Sequence, residues 1–197
     1  MPNIVIDFDH TLFDAQSFKK DLAKALGLTL KKWEAEYEKN KKQNKNYNYR
    51  KQLIHYAPAQ KKKFLKVLNN CKKYLYKDAL GFVKSIQKEP LQKVTILSKG
   101  HSSWQKIKID NCGFPKNIQI KVVSGSKGNF IKKLLKEDQV IFINDRGTEI
   151  DEIKNNFSEV KAIWIARPNG QYKNEMCKKF NFKYNNLKIN KKIYERI

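Results

Sequence analysis

Apolar residues along this chain gather in short runs rich in β-branched side chains, and between the runs apolar positions return every three or four residues. Five runs read as strands: Ile4–Phe8, Val94–Leu97, Ile118–Val123, Val140–Ile143 and Ala162–Ile165. They are continuously apolar rather than alternating, which is how strands buried on both faces of a parallel sheet look. Helices are expected between them, carried by Ala79, Leu80, Phe82, Val83 and Ile86, by Trp104, Ile107 and Cys112 before Gly113, and by Ile131, Leu134 and Leu135. The alternation predicts an α/β fold, a Rossmann-like doubly wound parallel sheet.

The chain between the first two strands is longer than one crossover needs, and residues 15–76 read as an inserted helical cap on a core formed by 1–14 and 77–197. Phe18, Leu22, Ala25 and Leu26 before Gly27 form one apolar stripe. Leu30, Trp33 and Tyr37 after Thr29, an expected N-cap, form another. These aromatics, with Trp104, read as core rather than as a substrate platform. The Lys- and Asn-rich stretch Lys39–Arg50 lacks a periodic apolar face and is expected to be a linker or loop, and Pro58 is expected to break the next helical segment.

Length and composition fit one catalytic domain, since 197 residues at 40% hydrophobic can bury a sizeable core. Lys and Arg number 42 against 19 Asp and Glu, a net charge of +23 that attracts phosphate-bearing partners of any size. Lysine is spread along the whole chain, which favours compositional drift over a dedicated nucleic-acid surface. Cys71, Cys112 and Cys177 are widely spaced, so neither a disulfide framework nor a zinc site is indicated and a cytoplasmic setting is expected. No leader precedes the first apolar run, and no apolar stretch is long enough to span a bilayer, so no membrane partner is expected.

The chemistry concentrates in Ile4-Val5-Ile6-Asp7-Phe8-Asp9-His10-Thr11, a strand that ends in two carboxylates and a threonine. Strand periodicity places Asp7 and Asp9 on one side, where two like charges require a cation. Three further segments have the same character: Val94-Thr95-Ile96-Leu97-Ser98, Lys127 near a helix start, and Val140-Ile141-Phe142-Ile143-Asn144-Asp145 with Glu149 beyond it.

In this order the four segments resemble the motifs of the haloacid dehalogenase superfamily, whose first motif is a strand followed by D-x-D-x-T. The resemblance implies an enzyme, a Mg²⁺-dependent, metal-binding hydrolase of the phosphatase type. Asp7 would be the nucleophile that forms an aspartyl-phosphate and Asp9 the general acid and base, with a pKa nearer neutrality than that of Asp7. Thr11, Ser98 and Lys127 would hold phosphoryl oxygens, and Mg²⁺ would sit on Asp7, Asp145 and the backbone carbonyl of Asp9. The second carboxylate, Asp9, favours phosphoryl transfer over carbon–halogen cleavage. Asn144 and Glu149 depart from the family pattern, which often has paired acids; Asn144 is expected to orient Asp145 or a metal-bound water, and Arg146 to pair with Glu149 or Asp151. His10, His55 and His101 are left outside the catalytic set.

The expected substrate is a phosphorylated small molecule such as a nucleotide or sugar phosphate. Nucleic-acid end processing is the alternative, motivated by the charge and by Tyr47 and Tyr49 as stacking rings. A non-catalytic binding protein of this fold is the third reading.

Overall fold

The computed structural model describes residues 2–44, 47–87, 93–190 and 193. Six parallel strands form one sheet: β1 (Asn3–Asp7), β2 (Lys93–Lys99), β3 (Gln119–Val123), β4 (Val140–Asn144), β5 (Lys161–Ile165) and β6 (Phe182–Tyr184). Their order is β3-β2-β1-β4-β5-β6, every neighbouring pair parallel. The chain winds outward in opposite directions from β1, and in open α/β sheets the crevice beyond the carboxyl ends at such a reversal is where ligands bind. Pairing of Ile4 with both Val94 and Ile141 sets the register that brings the ends of β1, β2 and β4 together there.

Period-two alternation divides β1 between two layers. Ile4 and Ile6 pack with Phe18, Trp33, Phe64 and Val83, whereas Val5 packs with Ile131, Phe142, Ile150 and Ile153. The first layer holds α5 (Ala79–Gln87) and α6 (Ser102–Asp110); the second holds α7 (Gly128–Leu135) and α8 (Gly147–Asn156). Two elements escaped the sequence pattern. Helix α8 carries only Ile150 and Ile153 as buried apolar side chains, too few for a period. Strand β6 is a three-residue edge without an apolar run.

Residues 15–76 form α1 (Ala15–Ala25), α2 (Leu30–Gln43), α3 (Tyr49–Leu53), α4 (Pro58–Leu68) and a 3₁₀ turn at Cys71–Tyr74. They share an apolar cluster with the sheet: Leu22, Trp33 and Phe64 lie in the same group as Ile6 and Ile96. Thr29 caps α2, its hydroxyl accepting from the Lys32 amide at 3.3 Å.

Two expectations here are corrected. Pro58 opens α4 instead of breaking a helix, because at the first helical position its missing N–H has no partner to lose. Lys39–Arg50 is not a free linker: Lys39–Gln43 extend α2 and Tyr49 begins α3, while Lys45 and Asn46 lie outside the described residues. The joint is clamped by Asn40, whose side chain donates to the Asn48 carbonyl at 3.0 Å and accepts from the Asn48 amide at 2.8 Å. Those amide bonds do what an apolar stripe would otherwise do, so periodicity gave no sign of them.

One ion pair ties the first loop to the rest. Arg167, beyond β5, donates to both Asp78 oxygens at 2.9 and 3.1 Å and to the Thr11 carbonyl at 2.9 Å, with its guanidinium 3.8 Å from the centre of the Tyr76 ring. Asp78 also accepts the Leu187 amide at 2.8 Å. Removing one member of such a partly buried, multiply hydrogen-bonded pair leaves the other unsatisfied, at a cost of about 2 kcal/mol. Asp78→Ala is therefore expected to lower unfolding stability by about that amount, measured by urea denaturation; a loss below about 0.5 kcal/mol would show the pair to be inert.

Candidate active site

The loop after β1 is held by its own backbone. His10 adopts φ 67°, the sole non-glycine residue with positive φ among the described residues. The Phe8 carbonyl accepts from the amides of Leu12 and Phe13, both at 3.0 Å. Asp14 then caps α1 by accepting from the Ser17 amide at 3.0 Å. This turn delivers Asp7 and Asp9 to one cavity of about 270 Å³, which Ser98, Lys127, Asn144, Asp145 and Glu149 also line.

Lys127, 5% exposed at the start of α7, reaches Asp7 at 2.5 Å and Glu149 at 2.7 Å. The Thr11 hydroxyl lies 2.8 Å from an Asp145 oxygen and 3.3 Å from an Asp7 oxygen, and accepts from the Asp145 amide at 3.0 Å. Thr11 is fully buried and does not line the cavity. The expectation of a phosphate contact for Thr11 is thus corrected: its hydroxyl is spent beneath the carboxylates and sets their separation. Ser98 does line the cavity, and its hydroxyl has no protein partner among the described residues.

Asn144 also departs from expectation. It donates to Glu149 at 3.0 Å and accepts from the Arg146 amide at 3.1 Å, so it orients Glu149 and not Asp145. Asp145 is instead positioned by Thr11, while its carbonyl accepts from the Trp164 indole at 3.0 Å. Arg146 pairs with Glu149 at 3.7 Å and with Glu175 at 3.4 Å, whereas Asp151 accepts the amides of Lys178 and Lys179.

Asp9 reverses the expected order of acidities. Lys108 of α6, 4% exposed, contacts both Asp9 oxygens at 2.7 and 3.0 Å, and Gln105 donates to one of them at 2.8 Å. Burial acts to raise the Asp9 carboxyl, but Lys108 outweighs it and holds the group below the usual range. Burial raises Asp7 to about 6 despite Lys127, and raises Asp145 to about 8 with the Asp7 charge adding to it. Asp9, expected to be the more basic of the first pair, is the more acidic.

Sequence reasoning missed Lys108, yet a signal was there. A lysine four residues after Trp104 and four before Cys112 sits on the buried face of its helix, where lysine is rare unless paired. His10 also lines the cavity, edge-on to Tyr172 at 5.6 Å, and burial lowers its pKa.

Asp7 and Asp145 are buried and Glu149 is partly buried; Lys127 pairs with Asp7 and Glu149, and Arg146 lies 3.7 Å from Glu149, so among the described residues Asp145 is the carboxyl of the three without a cation partner. Asp7 and Asp145 converge on a single hydroxyl that can donate to only one of them at a time. That donor chemistry fits a hard divalent cation. Among the described residues no group of three His, Cys, Asp or Glu side chains is arranged for a metal, so these two carboxylates would need backbone oxygen or water to complete the set.

No protein-family model and no curated protein matches the sequence. Solved structures do match its fold. A protein from Burkholderia xenovorans described as a haloacid dehalogenase-like hydrolase superposes with a TM-score of 0.64 at 14% identity, covering 95% of this chain and 96% of that one. A HAD-hydrolase from Bacillus subtilis, bound to magnesium, gives 0.60 at 14% identity over 99% and 97%. The L-2-haloacid dehalogenase from Xanthobacter autotrophicus with chloropropionic acid covalently bound gives 0.58 at 14% over 95% and 96%. The chain has the haloacid dehalogenase-like fold, an open parallel α/β sheet; at such identities the reaction must be argued from the site.

The raised carboxyls give a signed expectation for pH. Asp7 and Asp145 bind protons more tightly folded than unfolded, where 3.8 is the ordinary value, so their contribution to metal-free stability is full below that pH and lost as pH rises through about 6 and about 8. Added Mg²⁺ should therefore raise the Tm by several degrees at pH 8 and by less than about half as much at pH 5. Thermal unfolding with and without Mg²⁺ measures this; an equal shift at both pH values would contradict a cation held by these two groups.

Proposed function

We propose that this chain is a Mg²⁺-dependent hydrolase that cleaves phosphomonoesters through an aspartyl-phosphate on Asp7. The observation that carries the reading is the pair of buried carboxyls Asp7 and Asp145 converging on one hydroxyl, with no cation partner for Asp145 among the described residues, beside a cavity that a second acid, Asp9, also enters. Asp7 and Asp145 would hold the metal with the Asp9 carbonyl. Mg²⁺ bound there would neutralise the carboxylates and draw negative charge from the phosphoryl oxygens.

An Asp7 oxygen attacks phosphorus and the bond to the leaving oxygen breaks, giving the aspartyl-phosphate. Lys127 fixes the attacking carboxylate and offers positive charge to the transferring group, and the Ser98 hydroxyl donates to a phosphoryl oxygen. The ion-paired Asp9 and Lys108 hold one exchangeable proton as a unit, and this goes to the leaving alkoxide. In the second half Asp9 takes a proton from the attacking water, the bond between phosphorus and Asp7 breaks, and phosphate leaves with the carboxylate restored. Residues 15–76 would act as the cap that excludes water during these steps.

The nucleic-acid reading keeps the charge argument but loses one of its rings, because Tyr47 is 1% exposed with its hydroxyl on Gln52 at 2.6 Å. Carbon–halogen cleavage has the dehalogenase likeness behind it, and one experiment separates it from phosphoryl transfer. Wild type should release phosphate from monoesters and no halide from 2-chloropropionate, and excess chelator should abolish release. Asp7→Asn should reduce turnover by at least about 10³-fold in a protein that still unfolds cooperatively, since the amide keeps the volume and loses the nucleophile while Lys127 retains Glu149. Halide release, or phosphate release that survives Asp7→Asn, sinks the proposal.

A further inference from the structure

The proposed chemistry uses only one side of the cavity. Its other wall is aromatic, built from Phe18 of α1, Trp33 and Tyr37 of α2 and Trp104 of α6. Trp33 and Tyr37 stack at 5.4 Å and 29°, and Phe18 meets Trp104 at 6.0 Å. Behind them the buried Tyr47 wedges between Tyr37 at 4.3 Å and Trp104 at 4.8 Å. The wall is therefore held in place by ring packing.

Three buried polar atoms on cavity-lining residues lack a hydrogen-bond partner among the described residues: Arg146 Nε, the Trp33 indole Nε1, a donor, and the Gln105 Oε1, an acceptor. Arg146 Nε still has Glu175 as an ion-pair partner at 3.4 Å, whereas the other two have no ion pair either. Trp33 is 1% exposed and Gln105 6%. The amide of Gln105 cannot turn to relieve its oxygen, since Nε2 is committed to Asp9 at 2.8 Å and to the Lys99 carbonyl at 3.0 Å. Buried donors and acceptors are nearly always satisfied, so an orphan of each type on one cavity points to a ligand that supplies both complements.

We infer that this wall seats the leaving group of the substrate, and that the leaving group carries a planar heteroaromatic ring with both an acceptor and a donor on its edge, as a nucleoside monophosphate does. The inference rests on the phosphomonoesterase reading. Aromatic walls favour flat π-faces, whereas the hydroxyls of a bare sugar phosphate would be desolvated against them. A cavity of about 270 Å³ is small for a ligand site, which suits a mononucleotide and not a strand.

The test compares Mg²⁺-dependent phosphate release from adenosine, guanosine, cytidine and uridine 5′-monophosphates, phenyl phosphate and ribose 5-phosphate. At least one nucleotide should exceed ribose 5-phosphate about tenfold or more in kcat/KM, with phenyl phosphate between them. Trp33→Phe keeps a ring in the wall and removes the N–H, and should cut that nucleotide preference about threefold to tenfold. In the Asp7→Asn protein, which cannot turn over, the preferred nucleotide should quench tryptophan fluorescence at concentrations where ribose 5-phosphate does not. Asp7-dependent release from ribose 5-phosphate as fast as from every nucleotide would overturn the inference and leave the phosphatase reading standing, as would an unchanged preference in Trp33→Phe. No Asp7-dependent release from any ester, with no nucleotide quenching, would overturn both.

Discussion

The site is organised around an imbalance at the carboxyl ends of β1 and β4, where two buried carboxyls, Asp7 and Asp145, meet and Asp145 has no cation partner among the described residues. Asp7 and Asp145 share the Thr11 hydroxyl, and Lys127 is the buried cation set against Asp7 and Glu149. Every neighbouring feature answers to that imbalance. Burial keeps both carboxyls prone to protonation, Asn144 turns Glu149 toward Lys127, and the Trp164 indole holds the Asp145 carbonyl. Two adjoining carboxyls in so dry a site are costly to ionise together, and a divalent cation on them, completed by backbone oxygen or water, would offset that cost.

A second charge pair, Lys108 with Asp9, is neutral in sum and has a different consequence. It fixes Asp9 in the cavity without adding to the surplus, and it couples the acid to α6, whose Trp104 belongs to the aromatic wall. The Asp9 contacts and the aromatic wall therefore meet on one helix: Gln105, next to Trp104, grips Asp9 with its nitrogen and leaves its oxygen without a hydrogen-bond partner. The net charge of +23 surrounds this acid-lined cavity with a field that favours anions.

Fold likeness extends to dehalogenases and to a magnesium-bound hydrolase alike, so the sheet does not choose between reactions. The choice lies with the residues at the strand ends. Asp9 two places after Asp7 puts a second acid in the cavity, and Asp7 and Asp145 converge on one hydroxyl with donor chemistry that would suit a hard cation. These features support phosphoryl transfer on physical grounds independent of the likeness.

By itself the sequence determined five of the six strands, because continuous β-branched runs such as Val140–Ile143 have few other uses, and it singled out Asp7, Ser98, Lys127 and Asp145 at strand ends or a helix start and Asp9 just beyond β1, which the fold brings to one cavity. Tertiary structure decided the rest. Lys108 stands 99 positions from Asp9, so nothing local announced that it would set the acidity of that carboxyl. Thr11 and Asp145 are 134 apart, and only the pairing of β1 with β4 turns the hydroxyl inward. Tyr47, placed by composition in a polar linker, is buried because Asn40 satisfies the adjoining backbone. The physical reason is common to all three: periodicity reports which face a residue buries, whereas charge pairing and hydrogen bonding depend on which distant residue shares that buried space.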